Sequence, residues 1–167
     1  RFSFFVGHDN TGTELTGSRH VLLNAGLNSP LGMGGRLSGS LVQKYDPKKG
    51  EFRALSYLVP VLTPNDLLIA TYNHNEFTLG GSFIDSGIGG NSQTGKLHWE
   101  HYFWRDREKS LYMTVGLDRE QAITFQNSVQ LNIDNLTPLR LGLTYNAAYP
   151  RFRGYTKLAL TYSHGFN

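Results

Sequence analysis

Cysteine is absent from all 167 residues. That excludes a disulfide scaffold, a thiolate metal site and a cysteine nucleophile, and it suits a chain that folds in an oxidising compartment. Long hydrophobic runs are missing too. No stretch of about 18 apolar residues occurs, so no transmembrane helix is encoded, and the opening RFSFFVGHDN lacks the layout of a secretory signal. An excess of charge of one sign is missing as well. The formal net charge is +3, small and spread out, and short basic groups such as Lys48-Lys49 and Arg151-Arg153 do not imply nucleic acid.

What the chain does have is glycine and aromatics: 19 glycines, 9 tyrosines and 10 phenylalanines, a composition of strands and turns. The clearest period is two. In SLYMTVGLD, Leu111, Met113, Val115 and Leu117 alternate with Ser110, Tyr112, Thr114, Gly116 and Asp118. In PLRLGLTYN, Leu139, Leu141, Leu143 and Tyr145 alternate with Arg140, Gly142, Thr144 and Asn146. Each is a strand with two chemically distinct faces. Looser alternation predicts further strands over Phe2–His8, Arg19–Leu27, Arg36–Lys44, Phe52–Val61, Leu67–Phe77, Lys96–Trp104 and Tyr155–His164, about nine in all. ITFQNSVQLNID, within residues 119–136, either extends its neighbours or adds a tenth strand.

The connections sort into two kinds. NSPLGMGG, TPND and RDREKS are compact, whereas HDNTGTELTGS and FIDSGIGGNSQ are long and polar. Short turns on one side and long loops on the other are how an outer-membrane barrel is strung, and alternation lets such a barrel cross lipid with a mean hydropathy below zero. The predicted fold is therefore all-β: an antiparallel transmembrane β-barrel or partial barrel, about nine strands (eight to ten), forming a single region over residues 1–167. A small closed outer-membrane barrel with a structural or adhesive role and a soluble β-sandwich binding module are the alternatives.

In the barrel reading, apolar residues point outward and polar ones inward. Leu111, Met113, Val115, Leu117, Leu139, Leu141 and Leu143 are then candidates for lipid contact, and Arg36, Glu100, Arg140, Thr144 and Lys157 candidates for the lumen. An interior charge network among Arg36, Glu100, Arg140 and Lys157 is one possibility. In LHWEHYFWRDREK, Trp99, Tyr102, Phe103 and Trp104 crowd a strand end before a charged turn, where interfacial aromatics collect. His101 shares the alternation of Trp99 and Phe103, which leaves the register of this strand open.

Reactive chemistry finds little support. Asp9-Asn10-Thr11-Gly12-Thr13 differs by one residue from the Asp-Lys-Thr-Gly-Thr phosphorylation signature of P-type ATPases, but Asn10 replaces the lysine that compensates phosphoryl charge. Ser18 and His20 stand two apart on a strand, a spacing that shares a face without close contact. His74 and Glu76 give only two metal ligands. No catalysis and no cofactor are assigned.

The order of segments resembles the beginning of the barrel of two-partner secretion transporters, the TpsB family of outer-membrane assembly factors. VGHDNTGTELTGSRH resembles that family's Asp-Asn-(Ser/Thr)-Gly followed by Thr-Gly at the first hairpin, and LNAGLNSPLGMGGRLSGSL its Asn-Pro-Leu-Gly periplasmic turn. LSYLVPVLTPNDLLIATYNHNEF resembles its Ser-Tyr-x-x-Pro strand and the next, and YFWRDREKSLYMTVGL its arginine-containing short turn. The resemblance implies a Gram-negative outer-membrane location, a lipid surround and a secreted partner polypeptide, with this chain as the N-terminal half of a larger barrel. The family's periplasmic POTRA domains and its lumenal Val-Arg-Gly-aromatic loop have no counterpart in these residues, so no functional residue is carried over.

Overall fold

The computed structural model describes residues 1–10, 19–46, 50–150 and 153–166. Most of the Asp9–Gly17 loop, Ser18, Lys48-Lys49 and Arg151 thus lie outside the described residues. Nine strands form one antiparallel sheet in the order of the chain: β1 (Phe2–Asp9), β2 (Arg19–Asn28), β3 (Arg36–Asp46), β4 (Gly50–Pro60), β5 (Asp66–Thr78), β6 (Ile88–Arg105), β7 (Lys109–Gln126), β8 (Val129–Tyr149) and β9 (Gly154–Phe166). Every neighbour is joined by a hairpin, and β1 and β9 are not paired with each other, so the sheet is open. A 3-10 turn, Gly81–Ser86, sits between β5 and β6.

Two predicted boundaries need correction. GIGGNSQ is not loop, because Ile88–Gln93 is already strand and pairs with β7. Residues 119–136 add no tenth strand; they lengthen β7 and β8 to 18 and 21 residues. Their turn is the two residues Asn127 and Ser128, both at positive φ (48° and 67°), the backbone that matches a hairpin's right-handed twist. Asn127 N donates to Gly87 O at 3.0 Å, which ties this hairpin tip to the loop after the 3-10 turn. The far side of the sheet is therefore distinguished by tall strands as much as by long loops.

Paired residues in antiparallel strands point to the same face, so the registers carry one side of the sheet from edge to edge. Phe4 stands opposite Ala25, which is followed across the sheet by Gly39, Leu55 and Tyr72. Leu97 pairs with both Ala70 and Leu117, and Leu117 with Leu139. Leu111, Met113, Val115, Leu117, Leu139, Leu141 and Leu143 all fall on this apolar face, and β9 adds Leu158, Leu160 and Tyr162.

That face is uncovered. Among the described hydrophobic side chains only Val59 and Ala147 are buried, while Phe4, Leu55, Leu97, Leu117, Leu141 and Leu160 are exposed. The surface area is 11284 Å², against about 8,300 Å² for a soluble globule of this mass. A sandwich would have placed a second layer here.

Candidate functional site

The opposite face carries the polar residues, many of them small and neutral, with Leu22, Val42, Phe52, Leu58 and Ile69 on the same face of β2–β5. Ser38 and Ser56 stand opposite each other, as do Asn73 and Thr94, and Gly142 and Thr161. Arg36, Glu100, Arg140, Thr144 and Lys157 all belong to this face. They do not form one network. Arg36 lies on β3, Glu100 on β6 and Lys157 on β9; neighbouring strands are about 4.8 Å apart, so three strand spacings exceed the reach of an ion pair. Glu100 instead accepts a hydrogen bond from Tyr102 Oη at 3.4 Å.

Arg140 finds a different partner, Asp118. Its Nε donates to Asp118 Oδ2 at 2.6 Å, His98 Nε2 lies 2.6 Å from Oδ1, and Lys96 Nζ is 3.8 Å away. Arg140 also reaches Glu120 at 3.4 Å and Ser163 at 3.5 Å. One fully buried carboxylate thereby ties β6, β7 and β8 together, with β9 attached through Ser163. Burying that charge is affordable only because it is paired and hydrogen-bonded.

The backbone makes room for the cluster in two places. Gly116 faces His98 across the β6–β7 ladder, and a Cβ there would fall within 2.7 Å of His98 Nε2. On the β8 side, the ladder skips the two positions between Leu117–Leu139 and Glu120–Leu136, where Pro138 has no N–H to give. Alternation put Asp118 and Gly116 on the polar parity of SLYMTVGLD, but nothing in the sequence announced that His98 and Lys96 stand beside them. The β6–β7 register decides that.

The four aromatics before the RDREK turn divide between the faces. Trp99 and His101 lie on the apolar face, opposite Val115 and Met113, and Phe103 meets His101 edge-on at 5.1 Å. A bulge between Tyr102 and Trp104 brings Trp104 opposite Leu111, on that same face. Tyr102 is on the polar face, stacked on Tyr112 at 4.8 Å with the Arg105 guanidinium 5.0 Å from its ring. His101 is accommodated because Asp66, opposite it on β5, accepts from its Nδ1 at 2.9 Å and also from the Thr63 hydroxyl.

Of the remaining histidine candidates, His20 is engaged locally. The Asp9 carboxylate accepts from His20 Nδ1 at 3.0 Å, closing the first hairpin. His74 and Glu76 are on the apolar side beyond the leucines, opposite Arg53 and Glu51, and no three His, Asp or Glu side chains converge among the described residues.

A single sheet with one bare apolar face, one polar face and tall hairpins on one side is the wall of an outer-membrane β-barrel. The family described as "Haemolysin secretion/activation protein ShlB/FhaC/HecB" matches residues 1–167, and the chain belongs to it. These are two-partner secretion transporters of the Gram-negative outer membrane. Among solved structures, CdiB from Escherichia coli superposes with a TM-score of 0.85 at 21% identity, over 99% of this chain and 31% of CdiB. CdiB from Acinetobacter baumannii gives 0.74 at 19% identity, over 99% and 31%. This chain thus spans about a third of the length of the CdiB proteins. No curated protein matches it.

Proposed function

We propose that residues 1–167 form part of the wall of a larger outer-membrane barrel through which a partner polypeptide is secreted, with the polar face toward the lumen and the apolar face toward lipid. The observation that carries this reading is the division of the sheet: exposed leucines and aromatics on one side, and on the other a face rich in Ser, Thr, Asn and Gly that carries the charges of β6–β8, with Leu22, Val42, Phe52, Leu58 and Ile69 among them on β2–β5. An unfolded chain of arbitrary sequence needs a wall that neither traps it by apolar contact nor holds it by uncompensated charge. Here the charges clustered on β6–β8 are paired within the wall, Asp118 and Glu120 against Arg140 and Lys96.

No residue in this reading performs a chemical step, and transport draws on folding of the partner once it is outside. Cysteine placed at Thr144 or at Leu143 in the full-length transporter tests it. A stalled partner is expected to crosslink to position 144 and not to 143. Crosslinking from 143 alone would reverse the assignment of the faces.

A further inference from the structure

Toward the long-strand side the leucines of the apolar face give way to polar residues: Arg53, His74, Gln93 and Gln121 stand in one register row, with Gln43 and Arg119 one position to either side of it on the same face. Arg53 in this row is paired with Glu51. Arg119 is exposed and makes no ion pair or hydrogen bond among the described residues. Its neighbours explain why. Across β6 it faces Gly95, along its own strand it has Leu117 and Gln121, and Glu120 points to the other face toward Arg140. Among the described residues no carboxylate is paired with it on its own side.

Gly95 also leaves the space in front of that arginine empty. A Cβ at this position would meet nothing within 4 Å, and the depression it floors, about 270 Å³, is lined by Tyr72, Gln93, Arg119 and Gln121. It holds one guanidinium, a phenol and two amides at the upper boundary of a leucine belt. A guanidinium without a partner among the described residues, presented with neutral donors, matches the tetrahedral oxygens of a phosphate ester. A carboxamide or a sugar hydroxyl would leave its charge unmet.

We propose that Arg119, lying across Gly95, binds the phosphate of an outer-leaflet lipid headgroup whose acyl chains run down over Leu97 and Leu117. This rests on the reading that the apolar face meets lipid, and the test separates the two. The full-length transporter carrying this chain is purified in detergent, stripped of lipid and offered bisphosphorylated lipid A or its dephosphorylated form, with retention read by native mass spectrometry. The phosphorylated lipid is expected to be retained roughly tenfold better, as one charge-assisted contact provides. Arg119→Gln is expected to abolish that preference and Arg119→Lys to keep part of it. Gly95→Val, which fills open space in a strand, is expected to abolish it while leaving the charge in place. Equal retention of both lipids, or variants that behave as the parent, would overturn the proposal, as would displacement of the lipid by millimolar inorganic phosphate. A cysteine at Leu117 is expected to react with a bilayer-confined probe whether or not Arg119 is present; failure to do so would overturn the lipid-facing reading together with the headgroup site.

Discussion

Asp118 is the side chain on which the polar face depends most. It is fully buried beside Arg140 and His98, so Asp118→Ala strands two donors. Because Arg140 is 35% exposed, water recovers part of the loss, and the expected cost is about 1–3 kcal/mol, below that of a wholly buried pair. Chemical unfolding in lipid vesicles measures it. Gly116→Ala is expected to cost a similar amount, about 1–3 kcal/mol, by overpacking, since its methyl would occupy the space of the His98 ring. The diagnostic is non-additivity: adding His98→Ala to Gly116→Ala should recover stability, because the clash disappears with the imidazole. Asp106, in the short turn between β6 and β7, carries a different prediction. Its carboxylate accepts from the backbone N–H groups of Lys109 at 2.6 Å and Glu108 at 2.8 Å, and these bonds hold it below the ordinary carboxylate range. A depressed carboxylate stabilises above its unfolded value and loses that contribution as pH falls through the folded one. The stability difference between the parent and Asp106→Asn should therefore be present at neutral pH, narrow once pH drops below about 4, and vanish in stronger acid. A difference that grows on acidification would contradict the turn geometry.

At the scale of the strands, alternation was enough to separate the two faces, and least informative where both parities are polar. GIGGNSQ has little apolar content to alternate, so the first turns of β6 read as loop. QNSVQ hides a two-residue turn because Asn127–Ser128 lacks the glycine that usually marks one. That turn carries a direct test: Ser128, at φ 67°, adopts a backbone that glycine takes without steric cost, so Ser128→Gly should stabilise by up to about 1 kcal/mol. The aromatic cluster was only partly legible for a related reason. A bulge cannot be seen in sequence, and it is the bulge at Tyr102/Trp104 that moves Trp104 onto the face of Trp99 and leaves Tyr102 behind. For β8 the faces can be tested directly. If Leu141 and Leu143 meet the bilayer, arginine at either should cost about 2–4 kcal/mol near the midplane, and arginine at Thr144 much less, beside Arg140 on the same face. Single cysteines at 141 and 143 should react with a lipid-confined probe and one at 144 with an aqueous thiol reagent. The reverse pattern, or protection of 141 and 143 from both, would reject lipid contact.

On the scale of the whole molecule, the sheet has two unmet demands. Its apolar face is bare, with a total surface of 11284 Å² that exceeds that of a soluble globule of this mass by about 3,000 Å². Its edge strands, β1 and β9, have no outer partners. On the proposed reading lipid meets the first demand and further strands the second, because hydrocarbon offers nothing to an open backbone edge. The two are separable in the isolated chain. In plain buffer, residues 1–167 should associate through the apolar face and the edges, giving β-rich oligomers by sedimentation and circular dichroism. Detergent should cover the face and lower the association state, but leave β1 and β9 open to exchange, read as rapid deuterium uptake at Phe2–Asp9 and Gly154–Phe166 against slow uptake in β5–β7. Without a closed wall, this chain alone should export no partner polypeptide when the two are co-expressed. A stable monomer in plain buffer, or slow exchange at both edges in detergent, would mean that these nine strands bury their own face and close on themselves, and the larger-barrel reading would fall.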